Sequence, residues 1–135
     1  QFPESPEVPF YRALLHERRG ELTDALAMLD ISLTRDPDSN YALNNRGNVL
    51  MDLGRLDEAL ACFDTILQRA PAYSLAHYNR ACVYSRQGKM QESIDELKVV
   101  SNQDERLLQD AFTDPDFEWL INNPYFQKLA RLKKA

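Results

Sequence analysis

Apolar residues recur along most of this chain at spacings of three and four, the period of helices that bury one side. The pattern predicts first helices over about 9–19, 40–53 and 74–87, and second helices over about 22–35, 56–69 and 90–101. Each pair is joined through a glycine, and Gly20, Gly54 and Gly88 stand 34 residues apart. Glycine readily takes the left-handed conformation that ends helices. Pro37 and Pro71 repeat the same interval and stop the second helices, because the residue before a proline disfavours helix.

The recurrence extends to residue identity. "GELTDALAMLDISLTRDP" (20–37) and "GRLDEALACFDTILQRAP" (54–71) share nine of eighteen places. "GKMQESIDELKVVSNQDE" (88–105) follows more loosely, with Ser93 for the alanine and Glu105 for the proline. Small residues recur at Ala13, Gly47 and Ala81, and again at Ala25, Ala59 and Ser93, where two helix backbones must come close. Asp24, Asp57 and Glu58 fall in the first turns of second helices, where the helix dipole favours anions.

A period of 34 with a helix–glycine–helix unit and a closing proline resembles the tetratricopeptide repeat (TPR). The second unit carries the likeness in Gly47, Leu50, Gly54, Ala59, Phe63 and Pro71. The third carries it in Ala81, Tyr84, Gly88 and Leu97, and the first in Ala13, Gly20, Ala25, Leu29 and Pro37. The first departs at Pro9 and His16, places the family usually gives to an aromatic or large apolar residue. The resemblance implies an all-α fold, three hairpins in a short right-handed superhelical α-solenoid. The expected organisation is a Pro-rich lead over 1–8 and repeats over 9–105 (about 6–37, 40–71 and 74–105), then a helical cap over 106–135.

The last segment does not repeat. Asp114-Pro115 and Asn123-Pro124 each put a capping side chain before a proline suited to the first helical position. Helices are expected at about 104–112, 115–121 and 124–133. An array leaves an apolar face open at its end, so the aromatics Phe112, Phe117, Trp119, Tyr125 and Phe126 read as a cap. The functional alternative has Trp119 or Tyr125 anchoring a partner. Arg131, Lys133 and Lys134 suit the negative end of the last helix.

Charge and composition narrow the function. A net charge of −5 argues against nucleic-acid binding, which rests on Lys and Arg meeting phosphates. No apolar run reaches the length of a membrane span. Cys62 and Cys82 fall inside helices and read as free buried thiols of a reducing compartment, hence a cytoplasmic expectation; a disulfide stays open. The two histidines, His16 and His77, fall at packing places. The chain shows no phosphate loop, dinucleotide fingerprint or metal spacing. No cofactor, metal or reaction is nominated, and the chain is expected not to be an enzyme.

The resemblance further implies that first helices line a concave groove. Asn44, Asn45, Asn48, Met51 and Asp52 then fall on the open side of the second unit, with Tyr78, Asn79 and Cys82 as counterparts in the third. Asparagine is a poor residue for a helix interior, so three in one helix invite a function. A primary amide can pair with both N–H and C=O of an extended peptide. The candidate binding residues are Tyr11, Asn44, Asn45, Asn48, Met51, Tyr78, Asn79, Cys82 and Arg86, the last to meet a partner carboxylate. TPR domains that clamp acidic chaperone tails hold the terminal carboxylate with lysine, arginine and asparagine, and of these only the asparagine, at Asn45, has a counterpart here. The matching places hold Phe10, Leu14, Asn45, Leu75 and Asn79, so such a tail is disfavoured and a mainly uncharged, apolar segment is expected. The rivals are a self-association module whose groove is filled by the chain's own tail or by a second copy, a small-ligand or catalytic protein, and a scaffold part of a longer chain joined through the Pro-rich "QFPESPEVP".

Overall fold

A computed structural model describes residues 5–134, and among them the only regular elements are helices. They are α1 (Glu7–Arg18), α2 (Leu22–Arg35), α3 (Asn40–Asp52), α4 (Leu56–Arg69), α5 (Ser74–Arg86), α6 (Met90–Gln103), α7 (Glu105–Ala111), a 3₁₀ segment (Pro115–Leu120) and α8 (Pro124–Lys134). The Pro-rich opening lies outside the described residues as far as position 4, as do the side chains of Lys133 and Lys134. No helix among the described residues is long and apolar enough to cross a membrane. The chain divides into two compact units, 1–66 and 67–135.

The hairpins close by one mechanism. Gly20, Gly54 and Gly88 have φ of +72°, +78° and +76°. After each glycine the next N–H reaches back to the last turn of the preceding helix: Glu21 to the His16 carbonyl, Arg55 to Leu50 and Lys89 to Tyr84, each at 2.8 Å. The glycine N–H also bonds back at 3.0 Å in all three, which completes the glycine-terminated helix motif. The 34-residue spacing is therefore the spacing of three identical helix stops.

In unit 1, α1 packs on α2 and α2 on α3. Ala13, Ala25, Leu29, Ala42, Leu50, Ala59, Phe63 and Ile66 are fully buried. Gly47 lies against the Phe63 ring. The helix α1 starts at Glu7, inside the expected lead, with Pro9 in its first turn. A proline is tolerated there because first-turn N–H groups have no helical acceptor; the Phe10 N–H already bonds the Pro6 carbonyl at 3.3 Å.

In unit 2, α5 packs on α6, α7 packs on both, the 3₁₀ segment lies on α5 and α8 lies on α6. Its core holds Ala81, Val83, Ile94, Leu97, Val100, Leu108, Phe117 and Leu120. Ser93, which replaces the repeat's alanine, is fully buried and donates to the Ala81 carbonyl at 2.9 Å. Its hydroxyl therefore carries no desolvation debt. Where Glu105 replaces the closing proline, Asp104 stops α6 instead. Its backbone is extended at φ −153°, and its side chain accepts from the Leu107 N–H at 3.2 Å to start α7. Both expected caps form as well. Asp114 accepts from the Asp116 N–H at 2.9 Å, and Asn123 accepts from the N–H groups of Tyr125 and Phe126 at 2.9 and 3.2 Å.

Candidate functional site

Side chains on α3 point every 100°, so its buried and open residues define two faces. Ala42, Asn44, Gly47, Val49, Leu50 and Met51 are buried. Tyr41, Asn45, Asn48 and Asp52 form the remaining strip. This corrects two expectations: Asn44 is 4% exposed and Met51 6%, so both belong to packing rather than to an open wall. The expected face was drawn too wide, because α3 is packed over well more than half of its circumference. Asn45 and Asn48 do stand at the edge of the packed arc, half-buried. Neither side chain has a hydrogen-bond partner among the described residues.

On α1, Val8, Tyr11 and Leu15 are spaced three and four apart and are 52%, 62% and 51% exposed. They make an unpartnered apolar stripe. The Tyr11 ring meets Phe10 edge-on at 5.6 Å. Farther along α1, burial and the nearby Asp52 carboxylate raise the Glu17 carboxyl above its ordinary range. Its Oε1 is buried with no hydrogen-bond partner among the described residues. Arg46 leaves α3 in another direction, with Nε donating to Asp30 at 2.7 Å and Nη1 to the Cys62 sulfur at 3.2 Å. Cys62 is a free, buried thiol, raised chiefly by desolvation.

Unit 2 answers differently. Tyr78, Cys82 and Arg86 were expected to be open to a partner, and the chain's own 3₁₀ segment meets all three. The Tyr78 hydroxyl donates to Asp114 at 2.7 Å and its ring meets Phe117 edge-on at 5.7 Å. Arg86 donates to both carboxylate oxygens of Asp116, at 3.0 and 3.2 Å. The carboxylate foreseen for Arg86 is thus intramolecular. Ser85 donates to the Asp116 carbonyl and accepts from the Trp119 indole. Burial first, then the Asp114 hydrogen bond, raise the Tyr78 phenol above the tyrosine range. Burial and the same two aspartates raise the Cys82 thiol. Asn79 is 6% exposed. Cys82, Asp114 and Asp116 offer ligand atoms within 4.8 Å of one another, but Tyr78 and Arg86 already engage the carboxylates.

The packing histidine of α5 anchors a polar network. His77 Nδ1 faces Glu96 at 2.9 Å and Nε2 faces the Pro71 carbonyl at 2.8 Å. Arg80 donates to the other Glu96 oxygen at 2.6 Å. Every ring contact is to an acceptor, and the assembly ties the loop before α5 to α6. Its groups bond one another and the backbone, so it reads as structural. The sequence reading missed the partners of this network, and it missed Asp114 and Asp116 as partners of α5. Their capping role was visible from the following proline; their second role depends on a helix more than two dozen residues away.

A family model described as tetratricopeptide repeat matches residues 10–73 and 44–101. No curated protein matches the sequence significantly. Among solved structures, the first TPR of Spaghetti (RPAP3), bound to the HSP90 peptide SRMEEVD, superposes with a TM-score of 0.72 at 13% identity, covering 97% of this chain and 94% of that one. YrrB, a TPR protein with an unusual peptide-binding site, gives 0.74 at 20% identity over 83% of this chain and 59% of that one. The Yersinia enterocolitica type III secretion translocator chaperone SycD gives 0.70 at 14% identity over 96% and 87%. At these identities the likeness shows the fold.

Proposed function

Because the chain belongs to the tetratricopeptide repeat family, we propose that it is a non-catalytic protein-interaction module of adaptor or assembly-factor type. In this reading it takes a polypeptide segment against the open faces of α1 and α3. One observation carries the reading: Asn45 and Asn48 share a strip of α3 and have no intramolecular partner among the described residues. Each asparagine costs a helix interior about 0.6 kcal/mol relative to alanine. Neither cost is offset by a bond among the described residues. Both amides remain available to pair with the N–H and C=O of an extended segment. Tyr11 would add apolar contact, while the buried Asn44 and Met51 would shape the α3 surface from beneath. Arg86 is committed to Asp116.

The neighbour solved with SRMEEVD binds an acidic peptide. Of the places that would clamp its terminal carboxylate only Asn45 matches, and Phe10, Leu14 and Leu75 leave out the cations, which supports a different ligand. The test is a photo-cross-linker placed at Asn48, on the open strip, or at Thr34, on an exposed position of α2. Adducts with a polypeptide should form from Asn48, and N45A alone should lower their yield several-fold with the helical content unchanged. Equal labelling from both positions, or indifference to N45A, rejects the reading. The stripe Val8–Tyr11–Leu15 supports a second reading, self-association through α1. A sedimentation coefficient that holds across a dilution series rejects it.

A further inference from the structure

Unit 1 contains a cavity of about 340 Å³ where the start of α1 meets the end of α2 and the start of α3. Three aromatic side chains line it, Phe10, Tyr11 and Tyr41, together with two carboxylates, Glu7 and Asp36. Tyr11 is 62% and Tyr41 74% exposed, so much of each aromatic side chain at the cavity is left for a ligand to cover. Neither carboxylate has a cation or a hydrogen-bond donor among the described residues. The nearest basic residue in the sequence, Arg35, donates to the Ser5 carbonyl at 2.9 Å. Asp36 also caps the C-terminal end of α2, whose terminal carbonyls make the local potential negative.

We propose that this cavity is a binding site for an arginine side chain carried by a partner protein segment. An apolar side chain would bury the ring faces equally well, but it would also desolvate two unpaired carboxylates, at a cost with no return. A carboxylate would meet like charges. A guanidinium suits both the rings and the carboxylates: its plane can stack on a tyrosine by cation–π attraction while its N–H fork meets a carboxylate. Arginine suits the pair better than lysine, because it is planar and more weakly hydrated. The cavity volume lies at the lower end of that of small-molecule sites, enough for one side chain. Net charge −5 draws cationic partners toward the protein in general.

This inference rests on the reading of unit 1 as a surface that takes a polypeptide, and it adds a charge preference to a ligand otherwise expected to be uncharged. It is tested by titrating the whole isotope-labelled chain with three short peptides of identical leucine-rich flanks and a central arginine, norleucine or glutamate. The arginine peptide should shift the amide resonances of Glu7, Phe10, Tyr11 and Tyr41. It should bind about tenfold more tightly than the norleucine peptide, with the glutamate peptide weakest. E7Q/D36N should erase the preference while retaining the amide spectrum. Equal affinity for arginine and norleucine overturns the proposal, as does the absence of shifts around the cavity. Shifts confined to Asn45 and Asn48 refute the cavity site alone and leave the α3 reading standing. Cavity shifts that persist in N45A/N48A uphold the cavity whatever becomes of the asparagines.

Discussion

Replacing Gly47 with alanine tests the close packing inferred from the repeat, and the structure determines the sign of the effect. A methyl built on Gly47 would sit 2.6 Å from two carbons of the Phe63 ring and 3.2 Å from a third. Ordinary carbon contacts lie near ~3.5–4.0 Å, so the ring or the helix must give by about 1 Å. Phe63 is fully buried and has no solvent to swing into. Overpacking of this kind costs about 1–3 kcal/mol, and two ring atoms in conflict place it near the upper end. Against this, alanine in place of glycine inside a helix gains about 1 kcal/mol. G47A should therefore destabilise by about 2 kcal/mol in urea melts followed by circular dichroism, with an unchanged m-value. G47A/F63L should be at least about 1 kcal/mol more stable than the sum of its parts, because the smaller side chain removes the conflict. G54A is the control. Nothing lies within 4 Å of its added methyl, but φ of +78° strains any residue with a Cβ, at about 1–2 kcal/mol. That loss should not depend on Phe63. A G47A protein more stable than the parent, or an additive double variant, refutes the packing argument.

Three further outcomes follow from the polar contacts. Glu17 is raised by burial and by Asp52, so folding favours its protonated form. E17Q should raise stability at neutral pH by a few tenths to about 1 kcal/mol after allowance for solvent screening, and the gain should vanish below the usual glutamate range in a pH series of melts. Y78F removes a donor to the Asp114 carboxylate and should cost about 1.5–3 kcal/mol in unit 2. The Tyr78 phenol is raised, so its neutral form is the folded one. Stability should therefore fall as pH climbs past about 10, where the unfolded chain ionises first, and Y78F should flatten that slope in alkaline melts. E96Q removes the anion shared by His77 and Arg80 and should cost about 2–4 kcal/mol by urea melt. A loss under about 0.5 kcal/mol would show that the network is solvated and contributes little.

The helices and their stops were legible because their causes are local. A glycine at positive φ, an aspartate before a proline and an apolar period each act within a turn or two of chain. The open surface was not legible, because exposure is decided by whichever distant segment lands there. Asn45 and Asn79 make the contrast plain. They occupy the same place in successive repeats, and the same reasoning assigned them the same role. In unit 1, Asn45 is half-buried and unbonded among the described residues. In unit 2, α5 is contacted by α6, α7 and the 3₁₀ segment, and Asn79 is buried. Repetition fixes a residue's place on its helix, while a non-repeating tail decides what lies opposite. The tail's own composition held a clue: Asp114 and Asp116 bracket a proline, and one helix cap needs only one of them. The second carboxylate required a cation, and Arg86 is the partner that the fold brings to it. The same logic applies to Glu7 and Asp36, two carboxylates beside aromatic rings with no cation supplied from within the described residues. In unit 2 the acid–cation pair is closed by the chain itself. In unit 1 no described residue supplies the cation, and the proposal assigns it to a partner's arginine.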